Sequence, residues 1–279
     1  MRLSRPGADP FTQRSPRVHA AHRLLRRRHR DAAGLFLAEG QQAVREALAA
    51  GNAEEIFGTI EGYGRARDLV DQANAAGVAV WPVTEAGLAT LADTVTPQGI
   101  VAVCRYLHHD DLASVLDDGP RLVVLLAGIA DPGNAGTVLR TADAAGANAV
   151  VFAEGSVDPY NGKCVRASAG SLFHVDIVRG GSARDAVAVL RDGGLTVLAA
   201  DAHGGLDLDD CADGGRLADP TAWLFGSEAH GLPGDLAGLA DARVKVPLYG
   251  LAESLNLAAA AAVCLYASAR AHRRPAVRP

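Results

Sequence analysis

The stretch Leu122–Arg140, LVVLLAGIADPGNAGTVLR, runs an unbroken apolar segment into a turn containing Pro and Gly, and then into a helical sequence. A strand apolar at every position is buried on both faces, which is the pattern of a parallel sheet covered by helices. The alternation continues downstream. Strands are expected at Ala149–Phe152, Val175–Val178, Leu195–Ala199, Ala222–Phe225 and Ala242–Val246, and helices at Thr137–Ala145, Ser182–Asp192 and Leu255–Arg270. The region 121–279 therefore reads as an α/β domain built on a parallel sheet.

Upstream, His108–Pro120 (HHDDLASVLDDGP) is polar, ends in Gly-Pro and reads as a linker. Before it, short strands at Leu35–Leu37, Glu55–Ile60, Val78–Val83 and Gly99–Leu107 alternate with helices at Glu39–Ala50, Arg65–Ala76 and Thr84–Ala92. Together with the helical stretch Ser15–Arg30, they make residues 17–107 a small α/β domain. Residues 1–16, with Pro and Arg and no periodicity, read as a flexible basic arm.

Composition narrows the function. Of 279 residues, 49% are hydrophobic and 21% charged, enough for a substantial core and against wholesale disorder. Aromatics are only 5%, which argues against a surface of stacked bases. No apolar run is long enough to span a bilayer, and the Arg-rich start lacks the apolar core of a secretory signal. Cys104, Cys164, Cys211 and Cys264 are scattered without ligand spacing, so a reduced cytoplasmic protein without a metal is expected. The net charge is −5, but residues 1–40 hold nine Arg against three acidic residues, leaving an acidic remainder of −11. Such asymmetry suits an N-terminal region aimed at a polyanion; the alternative is an Arg-rich leader with no specific role.

Generic nucleotide motifs are missing. After the Leu122 strand there is no G-x-G-x-x-G, so a nicotinamide-dependent dehydrogenase is disfavoured. Gly128 and Gly133 have P-loop spacing, but Asn134-Ala135 replace the Lys-Ser/Thr that phosphate and magnesium require. No G-x-S-x-G elbow and no paired metal-ligating His are present.

Three segments remain. Asp131–Arg140 (DPGNAGTVLR) places Asn134 in a loop and Arg140 in the helix beyond it, both able to face the strand's carboxyl end, where open α/β sheets bind ligands. Leu224–Leu232 (LFGSEAHGL) follows another strand, with Gly226 allowing close backbone approach and Glu228 just past the strand. Val246–Leu257 (VPLYGLAESLNL) opens the last helix; capping explains Ser254, whereas Asn256 is expected inside the first turn without a capping role.

In this order and spacing the motifs N-x-G-x3-R, G-S-E-x2-G-L and S-L-N resemble the SpoU (TrmH-like) branch of the SPOUT RNA methyltransferases, over about residues 121–270. FLAEGQQAVREAL (36–48) and PQGIVAV (97–103) look like the small substrate-binding domain that often precedes it. The resemblance implies a SPOUT domain with a C-terminal trefoil knot, a homodimer, and methylation of a ribose 2′-hydroxyl with S-adenosyl-L-methionine. The RNA would be ribosomal, some relatives conferring antibiotic resistance, with tRNA as the alternative; a catalytically inactive RNA-binding relative is disfavoured because every motif residue is present. By motif matching, Gly226, Val246, Pro247, Leu248, Leu255 and Asn256 would hold the cofactor. Asn134, Arg140, Glu228, Ser254 and Asn256 would act on the ribose. Arg166, within the family-like element Lys163–Gly170, becomes a candidate for RNA or partner-subunit contact, and Arg23, Arg26, Arg27, Arg28 and Arg30 are candidate phosphate contacts.

The chemistry agrees with that assignment. Methyl transfer from a sulfonium to oxygen is an in-line displacement that needs positioning and no metal. A ribose hydroxyl is a poor nucleophile, and a guanidinium, with a pKa above about 12, stays protonated at neutral pH and cannot serve as the general base. Arg140 is therefore expected to stabilise alkoxide charge and orient a substrate phosphate that accepts the proton.

Overall fold

The computed structural model describes residues 9–94, 96–109 and 111–273. In chain order the elements are α1 (Pro16–His22), α2 (Arg27–Ala33), β1 (Leu35–Glu39), α3 (Gln41–Ala49), β2 (Ala53–Gly58), α4 (Ile60–Arg65), α5 (Arg67–Ala75), β3 (Ala79–Pro82), α6 (Glu85–Leu91) and β4 (Ile100–Arg105). They continue with β5 (His108–His109), α7 (Ala113–Leu116), β6 (Leu122–Leu126), α8 (Pro132–Ala145), β7 (Ala149–Phe152), α9 (Gly162–Ala167), β8 (Asp176–Arg179) and α10 (Ala183–Asp192). The last are β9 (Thr196–Ala200), β10 (Leu206–Asp207), α11 (Leu208–Asp213), β11 (Thr221–Phe225), α12 (Gly234–Ala237), β12 (Ala242–Lys245) and α13 (Leu257–Arg273). Two compact units result. Among the described residues, the first comprises those from 9 to 107 and from 158 to 173, and the second those from 108 to 157 and from 174 to 273.

The first unit has a four-stranded sheet, β1-β4-β2-β3, with only β2 and β3 parallel. Val18 and Leu24 pack with Leu37, Phe57, Leu88 and Val101 in one core cluster. Phe36, adjacent to Leu37 and so on the other face of β1, packs against Tyr160 and Phe173. Tyr160 also stacks on Tyr106, ring centres 4.1 Å apart, and its hydroxyl accepts the Leu107 N–H at 2.9 Å.

Three expectations change here. Residues 1–8 of the supposed arm lie outside the described residues, but 9–16 are held in place: the Phe11 N–H donates to Pro82 O at 2.8 Å, its carbonyl accepts from Thr84 N–H at 2.9 Å, and α1 starts at Pro16. The stretch 108–120, polar enough to read as a linker, supplies β5 and α7, and buries Leu112 and Val115 in the second unit's core. Residues 158–173, expected with the C-terminal domain, instead complete the first unit through Tyr160, α9 and Phe173.

The second unit has an eight-stranded sheet in the order β10-β12-β9-β11-β6-β7-β8-β5, and every neighbouring pair is parallel. Val123, Leu125, Val151, Val197 and Leu224 form part of its core, covered by Val187 and Leu190 of α10. Trp223 is fully buried and donates its indole N–H to Ser268 of α13 at 2.9 Å. That bond gives the polar tip of a core aromatic its partner and seats the last helix on the sheet. Among the described residues, no helix is long and apolar enough to cross a membrane.

Candidate functional site

The site lies in the second unit, where the chain leaves neighbouring parallel strands at their carboxyl ends. After β6, Asp131 caps α8 by accepting the Asn134 N–H at 2.8 Å, and Pro132 occupies the first helical turn. Proline there loses no intrahelical bond and presets the backbone. Asn134 is therefore inside the helix, not in a loop as its Pro-Gly neighbours suggested. Arg140 follows six residues later, about 9 Å along the axis and a third of a turn around it.

After β11 the chain turns sharply. Ser227 and Gly231 pair as an antiparallel bridge, and a Cβ on Gly226 would stand 2.4 Å from the Gly231 carbonyl carbon. Only glycine fits, which fixes the direction in which Glu228 leaves the sheet. After β12, Val246–Leu255 runs to α13, whose first amides meet Asn256. The Asn256 Oδ1 accepts the Ala258 N–H at 2.9 Å and its carbonyl accepts the Ala260 N–H at 2.9 Å. Asn256 is thus the helix cap, the role the sequence assigned to Ser254; Ser254 is exposed on the preceding loop.

These loops enclose a cavity of about 760 Å³, within the range of small-molecule sites. Its wall contains Asn134, Gly226, Glu228, Val246, Leu248, Ser254, Leu255 and Asn256, so most of the residues singled out from sequence meet there. A line of side-chain bonds connects three of them. Asn256 Nδ2 donates to Asn134 Oδ1 at 3.2 Å, and Asn134 Nδ2 donates to Glu228 Oε1 at 3.0 Å. The Ala130 N–H points at Glu228 Oε2 from 3.5 Å. Partial burial pushes the Glu228 carboxyl up, but the bonds from Asn134 and backbone N–H groups outweigh it and hold the carboxyl below its usual range. Glu228 is therefore an anion facing a half-enclosed space.

The cavity provides what a cationic nucleoside-like cofactor requires. Phe225, Val246, Leu248 and Leu255 offer apolar surface and Glu228 offers negative charge, while the room left by Gly226 is taken by the Gly231 backbone of its own turn and not by a ligand. Asp201, His203, His230 and Arg243 also line it and were missed from sequence. The signal for Asp201 was its position directly after a parallel strand, the same rule that identified Glu228.

Other expected residues lie elsewhere. Pro247 lines a neighbouring, more apolar cavity of about 440 Å³ with Tyr249 and Val263. Arg140 is exposed, has no ion-pair partner among the described residues, and is not in the wall of the larger cavity. In the first unit, Arg23, Arg26, Arg27 and Arg28 are exposed. Arg30 is not available to RNA: its side chain is 4% exposed, it donates to Asp158 Oδ2 at 2.6 and 3.0 Å, and it also bonds the carbonyls of Leu24 and Leu25. Charge counting could not reveal a carboxylate 128 residues away. Arg166 is ion-paired with Glu39 at 3.1 Å and Asp93 at 3.2 Å.

Residues 121–266 match the SpoU rRNA Methylase family, and residues 15–102 match the MRM3-like substrate binding domain. The chain belongs to the SpoU rRNA methylase family. It is 34% identical over 245 residues to the 23S rRNA (guanosine(2553)-2′-O)-methyltransferase RlmP of Bacillus subtilis, covering 88% of this chain and 92% of that one. It is 33% identical over 276 residues to the 23S rRNA (uridine(2479)-2′-O)-methyltransferase of Streptomyces viridochromogenes, covering 95% and 93%. The fold matches the AdoMet-bound rRNA methyltransferase of Sinorhizobium meliloti with a TM-score of 0.79 at 30% identity, over 94% of this chain and 97% of that one. Membership in this family agrees with the resemblance carried by the three motifs.

Proposed function

We propose that this protein methylates a ribose 2′-hydroxyl of 23S ribosomal RNA, with S-adenosyl-L-methionine held in the cavity of the second unit. The observation that carries the reading is the meeting of Asn134, Glu228, Ser254 and Asn256 with Gly226, Leu248 and Leu255 around one space. Bound there, the cofactor supplies an electrophilic methyl group on a sulfonium. The chain supplies the rest. Gly226, Val246, Leu248 and Leu255 bind the nucleoside end through backbone and apolar surface. Glu228, kept anionic by Asn134, favours a cationic ligand over its neutral product. Asn134 and Asn256, each fixed by the other, orient the ribose.

Arg140 stabilises the developing alkoxide and orients the neighbouring phosphate, which takes the hydroxyl proton. Because Arg140 stands outside its own chain's cavity, the reading places it at the cavity of a second copy in a homodimer. Exposed apolar residues of the second unit support such an interface: Tyr249 and Leu251 are 87% and 104% exposed, and Val263 and Tyr266 project from α13. The fold of the reading includes a C-terminal trefoil knot, supported by the tight approach of the post-β9 loop to β12, where a Cβ on Gly204 would lie 2.7 Å from Arg243 O. RNA is gripped through the exposed arginines of α1–α2 in the first unit, and the protein works in the cytoplasm alongside its ribosomal substrate. Methylation at a drug-binding nucleotide would confer antibiotic resistance.

Mapping ribose methylation across the ribosomal RNA of cells with and without this protein tests the reading. One 23S position should lose its 2′-O-methyl group on deletion; unchanged 23S RNA, or a lost methyl group in tRNA alone, would overturn it.

A further inference from the structure

The wall of the cavity carries an ion pair that the motifs do not account for. Asp201 follows β9 and Arg243 lies on β12, so two neighbouring strands each deliver one charge to the same space. The Asp201 N–H donates to Val244 O at 2.9 Å, tying the loop to the strand that bears Arg243. Arg243 directs both Nε and Nη2 at a single oxygen, Asp201 Oδ2, at 2.9 and 2.6 Å. The other oxygen, Oδ1, accepts the His203 N–H at 2.8 Å.

The arithmetic of donors is what matters. A guanidinium has five N–H groups, and the contact with Asp201 uses two. The Nη1 edge has no protein partner among the described residues, although Asp201 fixes the plane of the group. An oriented guanidinium with an unused edge, lining a ligand cavity, is a receptor for a carboxylate. Asp201 Oδ2 already accepts both donors, so the unused capacity of the pair lies mainly on the arginine.

We infer that Arg243, positioned by Asp201, binds the α-carboxylate at the amino-acid end of the methyl donor. This rests on the reading of the cavity as the S-adenosyl-L-methionine site. The cofactor carries one carboxylate among its charged groups, and Arg243 is the arginine in the cavity wall. Asp201 is a positioning residue: it holds the guanidinium plane and leaves one edge for the ligand. The pair also explains why an arginine is tolerated beside a cationic sulfonium. Its charge is offset by Asp201 on one side and by the ligand's own carboxylate on the other.

Decarboxylated S-adenosylmethionine, which keeps the adenosine, sulfonium and amine but lacks the carboxylate, isolates this contact. Calorimetric titration of the full-length protein with both compounds should show the intact cofactor binding about 10-fold tighter or more, as expected for a charge-assisted pair of hydrogen bonds. In Arg243→Gln that preference should collapse toward unity, through weaker binding of the intact cofactor and unchanged binding of the decarboxylated one. Asp201→Asn should reduce the same preference in part, and Arg243→Lys should retain some of it. Equal weakening of both compounds in Arg243→Gln, or an undiminished preference, would overturn the inference while leaving the cofactor site intact. Failure of the wild-type protein to bind either compound would overturn the underlying reading as well, so the two failures are distinguishable. Thermal melting of each variant establishes that its fold is retained.

Discussion

Asn134 donates its side-chain amide to Glu228 across 94 residues of sequence, at 3.0 Å, and so holds a carboxylate ionised at the wall of a cavity. The contact joins the first helix turn after β6 to the sharp turn after β11. Its effect is electrostatic and has a definite sign. The folded protein lowers the Glu228 pKa, so the stability this contributes is present above the ordinary carboxylate range and is lost as pH falls through the folded value.

Asn134→Ala removes the bond that opposes burial. The Glu228 midpoint, followed by carboxyl-carbon NMR, should then rise, and methyl transfer should fall by about 10- to 100-fold, the loss expected for one hydrogen bond to a charged group. An unmoved midpoint would show that backbone N–H groups alone hold the anion.

Arg140 leads to a prediction about assembly. Arg140→Ala should retain cofactor affinity and lose at least about 100-fold in transfer, comparable to removal of one charge-stabilising donor. Mixing inactive Arg140→Ala with inactive Glu228→Gln should restore a fraction of activity, because mixed dimers contain one cavity with its Glu228 intact and an intact Arg140 facing it from the other copy. No recovery on mixing, with subunit exchange verified, would place Arg140 and the cavity in the same chain.

Arg30 and Arg28 separate a structural role from an RNA role. Arg30→Met removes the guanidinium that balances the buried Asp158 carboxylate and should destabilise the protein by about 3–5 kcal/mol in urea unfolding. Replacing exposed Arg23, Arg26, Arg27 and Arg28 with Ala should leave stability within about 0.5 kcal/mol per site. It should reduce RNA affinity and flatten its salt dependence, each lost phosphate contact lowering the slope by about 0.7–0.9.

Gly226→Ala sets a Cβ against the Gly231 backbone at 2.4 Å. The turn must shift, at a cost of about 1–3 kcal/mol by analogy with overpacking, and cofactor binding should weaken with it. Thermal melting with and without S-adenosyl-L-methionine reads both effects.

Much of this was visible in the chain before folding. The continuous apolar run Leu122–Leu126 marks a strand buried on both faces, and Ala149–Phe152 appears at its expected bounds because short apolar stretches between turn signals leave little choice. The rule that parallel sheets bind ligands at their carboxyl ends pointed to Asn134 and Glu228, which line one cavity, and also to Arg140, which does not; Asn256 joins them as a residue of the S-L-N motif. Local details were harder. Pro132-Gly133 looks like a turn and so suggests a loop at Asn134, yet proline in the first helical turn is equally natural once Asp131 caps the helix. Asn256 took the capping role assigned to Ser254 because the two are both polar and only two residues apart. The burial of Arg30 has no local signal: its partner Asp158 belongs to a segment that joins the first unit from far along the chain, and local composition carries no trace of such pairing. Asp201 stands directly after β9 and was open to the strand-end rule, whereas Arg243 had no such signal, since an ion pair across adjacent strands has no sequence spacing of its own.

The most direct measurement is transfer of a tritiated methyl group from S-adenosyl-L-methionine to 23S rRNA by the purified protein, followed by alkaline hydrolysis. A methylated 2′-oxygen cannot attack its phosphate, so the account predicts all label in one alkali-resistant dinucleotide, with none transferred by Glu228→Gln. Label released in ordinary mononucleotides would mean methylation of a base, and would contradict the account.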